Sequence, residues 1–290
     1  MKILNYGSMN IDNVYSVRHI VTPGETILAA ERNVFCGGKG LNQSIATAKA
    51  GGEVYHAGVL GEDGGMLLDA LHRHGVRTEL IKRAPGPSSH TVIQVDENGQ
   101  NCIIVFAGEN MRISGGEQDA MLESFGSGDV LMMQNELHNS PLMMKKAKAK
   151  GLSVVFNPSP INDAIFDYPL DSVDWFLLNE VEGGSLTGET EPEKILAGMG
   201  RRFPGASVVL TLGSDGAYCM HAGETLFQPA FKVKAVDTTA AGDTFTGYFV
   251  AGFSRDEPLP AVLERAARAS SIAVSRKGAA DSIPTADELA

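Results

Sequence analysis

The stretch Ala235-Val-Asp-Thr-Thr-Ala-Ala-Gly-Asp-Thr-Phe245 decides the fold class of this chain. A β-like run ends in a loop of small residues, and an amphipathic helix then begins at or near Gly242-Asp243. The backbone N–H groups of Ala241, Gly242 and Asp243 should point out of the helix start, where the helix dipole favours anions. Small residues at positions 240–242 let a phosphoryl group approach the backbone closely. The stretch therefore predicts an anion-binding helix start that follows a strand.

Asp243 is the residue of this loop that anion binding alone does not explain. A carboxylate repels a neighbouring anion, so it makes more sense if it takes a proton from a hydroxyl that attacks a bound phosphoryl group. An isolated Asp before a helix is more often a cap, and Asp243 or Thr239 could serve only in that way. The surrounding small residues favour the proton acceptor over the cap.

Short apolar runs alternate with helical patterns on the amino-terminal side of this loop, and further helices follow it. Buried strands are predicted at Ile3–Tyr6, Val54–Val59, Val130–Met133, Leu152–Phe156, Trp175–Leu178 and Ser207–Leu212. Helices are predicted at Asn42–Ala50, Met66–His74, Leu142–Lys150, Glu193–Phe203, Asp243–Phe253 and Leu259–Val274. Because a repeated strand-helix-strand order implies parallel pairing, we expect an α/β fold with a parallel-rich central sheet and helices on both faces.

Two regions rich in β-forming residues interrupt this rhythm. They are Val14–Val34 and the pair Thr91–Val95 and Cys102–Phe106. Asn98-Gly99, inside the second region, is a strong hairpin signal because both residues tolerate positive φ. No Pro/Gly/Ser linker divides the chain, so we expect one domain over residues 1–290, with a small β-sheet lid formed by insertions at about 13–35 and 89–107.

The amino-acid composition limits which kinds of partner the protein can bind. The 290 residues include 24 Lys or Arg and 35 Asp or Glu, a formal charge of −11, which argues against a general nucleic-acid binder. At 43% hydrophobic and 20% charged, the chain can build a sizeable core. We find no run of ~18 apolar residues and no signal-peptide pattern, and three scattered cysteines form no CxxC pair. We therefore expect a cytoplasmic protein without a membrane partner.

Two common phosphate-binding motifs do not fit this sequence. Gly37-Gly38-Lys39-Gly40 has Gly after the Lys, where a P-loop needs Ser or Thr. The Gly-x-Gly pairs at 126–128 and 198–200 lack the third glycine of the dinucleotide fingerprint. A nucleotide-dependent oxidoreductase, formally possible for any α/β sheet, thus lacks its phosphate site.

Eight motifs, in order and nearly end to end, resemble the ribokinase-like (PfkB) family of carbohydrate kinases. They are Gly7–Asp12, Thr22–Thr26, Gly37–Gln43, Asn157–Pro160, Asn179–Glu182, Thr211–Gly216, Asp237–Phe245 and Ile272–Gly278. The resemblance implies ATP-dependent phosphorylation of a sugar's primary hydroxyl. It also implies that Asp243 is the base and that the loop of Ala240, Ala241, Gly242 and Asp243 is the anion hole.

The resemblance also implies the sugar contacts. They are Asn10, Asp12, Gly38, Asn42 and Glu136, together with Asp243. Amide and carboxylate groups suit vicinal hydroxyls, and the absence of Arg or Lys from this set disfavours a phosphorylated substrate. We therefore expect a neutral sugar, with D-ribose first. Lys39 is placed among the substrate contacts, although an ion pair explains it equally well.

The nucleotide side is implied by Asn179, Thr211, Gly213, Gly216 and Gly242. Asn179 and Glu182, three apart on one helical turn, suit water-mediated coordination of Mg²⁺ on the ATP phosphates. The alternative is a capping Asn followed by solvated glutamates. Position 267 is Ala, where related kinases often present a polar side chain near the base, so the sequence leaves purine selectivity open.

A monovalent-cation loop is a further implication of the resemblance. Its ligands would be the Asp237 carboxylate, the Ser282 hydroxyl and the carbonyls of Thr239, Ala273, Arg276 and Gly278. Such a cation, K⁺ as an activator, would fix the anion-hole amides without touching the substrates. The alternative is that Asp237 only caps a turn and that Arg276 and Lys277 are solvated.

The lid should cover the sugar site and exclude water from it. Its outer face carries apolar residues, and this region of the chain is too small to bury them in a core of its own. We therefore expect a homodimer through the lid. Two alternatives to a ribose kinase remain: a PfkB-family kinase for another sugar or a nucleoside, and a catalytically silent sugar-binding homologue.

Overall fold

The computed structural model describes residues 1–289, which contain two separate sheets. The strands are β1 (Ile3–Tyr6), β2 (Asn10–Ser16), β3 (Glu31–Gly37), β4 (Val54–Leu60), β5 (Arg77–Arg83), β6 (His90–Val95), β7 (Asn101–Phe106), β8 (Val130–Gln134), β9 (Ser153–Asn157), β10 (Trp175–Asn179), β11 (Ser207–Thr211), β12 (Gly216–His221) and β13 (Glu224–Pro229). The helices are α1 (Lys39–Lys49), α2 (Gly65–Arg73), α3 (Gly115–Leu122), α4 (Ser140–Ala149), α5 (Glu180–Thr187), α6 (Pro192–Arg202), α7 (Ala241–Phe253) and α8 (Leu259–Val274).

The main sheet has nine strands in the order β13-β12-β11-β10-β9-β8-β1-β4-β5. Neighbours from β11 to β5 pair in parallel, while β12 and β13 form an antiparallel hairpin at one edge. The predicted parallel-rich sheet is confirmed. Sequence reasoning missed the three outermost strands: the edge strands β5 and β13 are largely exposed and carry no continuous apolar run, whereas β12 is mostly buried and was overlooked. Within β5, for example, Arg77, Glu79, Lys82 and Arg83 alternate with less polar residues.

Helices cover both faces of this sheet, as predicted. Successive side chains of a strand point to opposite faces, so Met132 belongs to the apolar cluster on the face covered by α1, α2, α7 and α8, whereas Met133 belongs to the cluster on the face covered by α3, α4, α5 and α6. Both methionines are fully buried. Burial on both faces explains why the central strands are almost wholly apolar. Within residues 1–289, no helix has the length and apolar character needed to cross a membrane.

The second sheet, of four strands, is the lid, in the order β3-β2-β6-β7. The hairpin predicted at Asn98-Gly99 joins β6 to β7, and Gly99 has a φ of 77°. The region predicted as β-rich from Val14 to Val34 instead contains two strands, β2 and β3, joined by residues 17–30, which form no strand. Because β2 begins only four residues after β1 ends, the lid places Asn10 and Asp12 close to the carboxyl end of β1.

Candidate active site

The start of α7 lies at the carboxyl edge of the main sheet. Ala240 is its N-cap residue and adopts a left-handed conformation, with a φ of 59°, which turns the chain into the helix. The N–H of Ala241 donates to the carbonyl of Thr238 (3.3 Å). The next two amides, of Gly242 and Asp243, have no protein acceptor within residues 1–289. The predicted anion hole is therefore open at these two amides, and Ala241 contributes less than expected.

Asp243 is buried, with 7% of its surface exposed, and both of its carboxylate oxygens accept hydrogen bonds from α1. Asn42 Nδ2 donates to Oδ2 (3.1 Å), and Gln43 Nε2 donates to Oδ1 (3.0 Å). The carboxylate accepts no bond from a backbone N–H of residues 1–289, so Asp243 does not act as a helix cap. Its side chain is held instead in a fixed position beside the open amides.

Two glycines let α1 pack closely against its neighbours. A Cβ on Gly247, one turn after Asp243 in α7, would lie 2.4 Å from the Cβ of Ala46 in α1. A Cβ on Gly40 of α1 would lie 2.4 Å from the backbone of Gly7, just after β1. Only glycine permits these approaches, because real Cβ atoms need more than 3 Å.

A cavity of about 220 Å³ opens in front of Asp243, and Lys39, Asn179 and Glu182 line it. The negative charge of Asp243 is the main cause of a raised pKa at Lys39, and Glu136 and Glu182 raise this pKa further. Burial of the ammonium group acts in the opposite direction and lowers it. Lys39 makes no ion pair within 4.0 Å among the described residues. The structure therefore disfavours the ion-pair alternative and leaves a cation facing the cavity.

Asp12, on the lid strand β2, lies over the start of α1. Thr91 Oγ1 donates to its Oδ1 (2.7 Å), and burial raises the pKa of this carboxyl. A Cβ on Gly37 would lie 1.8 Å from Asp12 Oδ2, so the carboxylate occupies the space that a side chain would take. The neighbouring Gly38 has a φ of 97°, a left-handed conformation that favours glycine. α1 begins at the next residue, Lys39, three residues before the predicted start at Asn42.

Asn110 is a polar residue of this region that sequence reasoning missed. It lies in a short 3₁₀ helix after the lid, and its Nδ2 donates to Asn10 Oδ1 (3.5 Å). Asn110 Oδ1 and Asn42 Oδ1 are both buried and accept no hydrogen bond. Buried acceptors without donors are unfavourable, and hydroxyl groups of a polyol would satisfy them. A lone Asn in the segment Gly108–Met111 gives no sequence signal for this role.

Glu136 follows β8 and is tied to the same region. Ser8 Oγ donates to its carboxylate, as does the backbone N–H of Lys39 (3.2 Å). Burial raises the pKa of Glu136, which these hydrogen bonds partly oppose. The predicted contacts Asn10, Asp12, Gly38, Lys39, Asn42, Glu136 and Asp243 are thus brought to the junction of the lid, α1 and α7.

A second cavity, of about 680 Å³, lies on the other side of the anion hole. Its lining includes Thr211, Gly213, Gly216, Gly242 and Ala267. The first four were predicted as nucleotide contacts. A Cβ on Gly216 would lie 2.2 Å from the carbonyl oxygen of Gln228, so the turn after β11 requires glycine. Since Thr211, Ala241 and Gly242 also line the smaller cavity, the open amides lie between the two.

Asn179 lines the smaller cavity rather than the larger one. It caps α5: Glu182 N donates to Asn179 Oδ1 (2.9 Å), and Asn179 N donates to Glu182 Oε2 (3.0 Å). The capping alternative is therefore present, yet Glu182 also lines the cavity and its Oε1 accepts no bond from residues 1–289. The same residues contain no cluster of three His, Cys, Asp or Glu able to hold a metal.

The residues of the predicted cation loop lie in two segments that Asp237 connects. Thr239 N donates to Asp237 Oδ1 (2.9 Å), and Gly278 N donates to Oδ2 (3.0 Å). Partial burial would raise the pKa of Asp237, but these hydrogen bonds outweigh it and lower the pKa. Ser282 is fully buried and donates to Ala279 O (2.8 Å).

The two remaining predicted cation ligands lie at the end of α8. Arg276 N donates to the carbonyl of Ala273 (3.0 Å), and its guanidinium pairs with Glu288 (2.7 Å). The Arg276 side chain is therefore not simply solvated, as the alternative supposed.

An open helix start, a buried carboxylate and a cavity on each side define a class of protein: a phosphotransferase that holds a polyanion against a hydroxyl-rich substrate. The family model described as pfkB family carbohydrate kinase matches residues 1–286. The chain belongs to this family.

Several curated ribokinases are similar to this chain over nearly their whole length. The Schizosaccharomyces pombe ribokinase is 35% identical over 312 residues, covering 100% of this chain and 96% of that protein. The Haemophilus influenzae ribokinase is 33% identical over 291 residues, covering 97% and 95%. Among solved structures, Arabidopsis thaliana ribokinase complexed with ribose and ATP is 30% identical, with a TM-score of 0.87 and coverage of 99% and 96%.

Proposed function

We propose that this protein transfers a phosphoryl group from ATP to the primary hydroxyl of D-ribose, which gives ribose 5-phosphate. One observation carries the proposal: the buried carboxylate of Asp243 lies beside the open amides that separate the two cavities. A sugar held at the junction of the lid, α1 and α7 and a nucleotide in the larger cavity would meet at this point. The ribokinases that match over their full length support ribose as the sugar.

Asp243 orients the attacking hydroxyl and accepts its proton as the bond to phosphorus forms. Phosphoryl transfer needs little covalent help, so alignment and neutralisation of the equatorial oxygens matter most. The amides of Gly242 and Asp243 supply fixed donors for those oxygens. Lys39 supplies a positive charge within the same cavity.

Mg²⁺ would be held mainly by the ATP phosphates and water, since Mg²⁺ keeps several waters in such sites. The free Oε1 of Glu182 fits an indirect contact of this kind, and the bound ion would neutralise phosphate charge. Asp237, Ser282 and the carbonyls of Thr239, Ala273, Arg276 and Gly278 would hold K⁺ as an activator. The hydrogen bonds that the Asp237 carboxylate accepts from Thr239 N and Gly278 N, one in each loop segment, support this second assignment.

The proposed assembly is a homodimer through the lid. Four consecutive residues of β7 are apolar and between 49% and 62% exposed: Ile103, Ile104, Val105 and Phe106. Val34 and Phe35 are also exposed, on β3 at the opposite edge of the lid sheet. A second lid of the same kind would cover the open β7 edge, because an exposed strand edge that carries apolar side chains favours self-association. Light scattering at micromolar concentration tests the mass, and a monomer would contradict the dimer.

We also propose a cytoplasmic location. Cys36, Cys102 and Cys219 are free thiols, and free thiols are typical of a reducing compartment.

ADP release with Mg²⁺-ATP across a substrate panel tests the activity. The panel holds D-ribose, 2-deoxyribose, fructose, fructose 6-phosphate and nucleosides. We expect the highest kcat/KM with ribose and none with fructose 6-phosphate, because Lys39 is the only cation among the proposed contacts of residues 1–289. Preference for a nucleoside or another sugar would correct the substrate. No turnover, with sugar binding retained, would identify a silent homologue.

A further inference from the structure

Gln43 contacts Asp243 without belonging to the proposed sugar or nucleotide contacts. Its side chain is fully buried, and Nε2 donates both to Asp243 Oδ1 (3.0 Å) and to Asn157 Oδ1 (3.1 Å). The two N–H bonds of the amide are therefore both used inside the protein. Gln43 therefore reaches Asp243 from the protein interior rather than from the substrate side.

A chain of buried amides continues from Gln43 through the centre of the main sheet. Gln134 Nε2 donates to Gln43 Oε1 (2.7 Å) and to Asn5 Oδ1 (3.0 Å). Asn5 Nδ2 in turn donates to Gly40 O (2.8 Å) and to Ser44 Oγ (2.8 Å). The three side chains of Gln134, Asn5 and Ser44 are at most 1% exposed. The chain is thus shielded from water along its whole length.

His56 ends the chain and sets its direction. The carbonyl of Gly7 can only accept, so His56 Nε2 carries the proton and donates to it (3.1 Å). Complete burial lowers the pKa of His56 to about 4, so the ring is neutral near pH 7. Its Nδ1 then accepts from the Ser44 hydroxyl (2.8 Å). The oxygen of Ser44 is left to accept from Asn5.

Each amide of the chain therefore has one favourable orientation. Asn5 must present its N–H group to Gly40 O, which leaves its oxygen facing Gln134. Gln134 must present its N–H group to Asn5 and to Gln43, which leaves the N–H group of Gln43 facing Asp243. A reversed Gln43 would place its oxygen against the oxygens of Asp243 and Asn157. The chain thus fixes a donor, never an acceptor, beside the carboxylate.

We propose that Gln43 and Gln134 are positioning residues, and that the buried chain from His56 holds the Asp243 carboxylate in the orientation that receives the sugar hydroxyl. Asn42 holds Oδ2 from the substrate side, and Gln43 holds Oδ1 from the protein interior. The inference rests on the proposed function, since the buried hydrogen-bonded chain has this role only if Asp243 is the catalytic base.

Apolar replacements of nearly equal volume test the proposal, because Met is unbranched like Gln. Gln43→Met should lower kcat about 10- to 100-fold, as expected for a misplaced catalytic group, with both KM values within about three-fold of wild type. Gln134→Met, which does not touch Asp243, should lower kcat by a smaller factor. The double variant should lose no more than Gln43→Met alone, because Gln134 acts through Gln43.

Gln118→Met is the matched control. Gln118 is also fully buried and donates to Tyr6 Oη (3.2 Å) and to the carbonyl of Asn139 (3.0 Å), on the opposite face of the sheet. It should lower the urea midpoint yet leave the kcat of the folded enzyme unchanged.

The outcomes separate the two proposals. A wild-type protein that phosphorylates no sugar would overturn the proposed function and this inference with it. Wild-type turnover together with an undiminished kcat in Gln43→Met would overturn the inference alone, as would equal losses in Gln118→Met or multiplied losses in the double variant. If Gln43→Met does not fold, the kcat of Gln134→Met decides: a selective loss supports the chain, and an unchanged kcat overturns it.

Discussion

The proposed sugar-binding side and the proposed nucleotide-binding side of the site are built differently. On the sugar side, Asn10, Asn42 and Asp243 are at most 7% exposed and hold one another or the core by hydrogen bonds. On the nucleotide side, Val233 in the lining of the larger cavity is 45% exposed, and the proposed phosphate-binding groups are backbone amides in the first turn of α7, directly after a surface loop. The sugar side is therefore preformed by the packing of the domain, whereas the nucleotide side depends on how a surface loop is held.

The largest effect should come from the group that both sides share. Asp243→Asn keeps shape and removes proton acceptance, so we expect kcat to fall about 10²- to 10⁴-fold with sugar and ATP affinity within several-fold. Steady-state kinetics with each substrate varied measure this. Asp256→Asn, at an exposed positive-φ position after α7 that Asn tolerates, is the control and should be neutral. A variant that retains most of its turnover would refute the base.

Acid should weaken the sugar side through His56. Its pKa falls from 6.5 in the unfolded chain to about 4 in the fold, so the unfolded chain binds more protons between these values and stability decreases as pH falls. The difference between these two pKa values corresponds to about 3 kcal/mol of the free energy of unfolding. Urea unfolding between pH 7.5 and pH 4.5 measures it.

The comparison variant for this effect is His56→Gln, which removes the titrating ring. The difference in unfolding free energy between wild type and this variant should shrink as pH falls. His72→Gln, exposed on α2, should follow wild type at every pH. A difference that does not change with pH would contradict a neutral, buried His56.

The contact between α1 and α7 should matter next. Gly247→Ala places a methyl group 2.4 Å from Ala46 Cβ and 2.7 Å from the backbone N of Thr47. Overpacking of this kind typically costs about 1–3 kcal/mol, and a shift of α7 would also weaken the bonds to Asp243 and lower kcat. Gly116→Ala in α3, where nothing lies within 4 Å, should be neutral or stabilising. Equal stability and activity in both variants would show that the helices adjust freely.

The sequence predicts those parts of the fold and of the site whose signal is a local, contiguous pattern, and it misses the others. The central strands and the loop before Asp243 are readable because each is a contiguous pattern whose physical meaning is local. The role of Gln43 is not readable, since its partner Asp243 lies 200 residues away in sequence. Asn110 gives no pattern at all, and β5 does not stand out because its side chains are largely solvated. The left-handed Ala240 could not be inferred, as glycine is the usual residue there.

The smallest effect expected is that of K⁺, and it tests whether the surface loop needs support that the core does not give. A cation held by Asp237 and the carbonyls beside it would join the loop before α7 to the loop after α8, which Asp237 already connects through Thr239 and Gly278. Fixing these loops would fix the amides of Gly242 and Asp243, so we expect K⁺ to raise kcat several-fold over a bulky organic cation at constant ionic strength. Asp237→Ala should abolish the response, whereas Asp167→Ala, on an exposed turn, should keep it. Because the buried sugar contacts do not involve this loop, the KM for sugar should not change between salts. Equal rates in both salts would mean that the nucleotide side is as fully preformed as the sugar side.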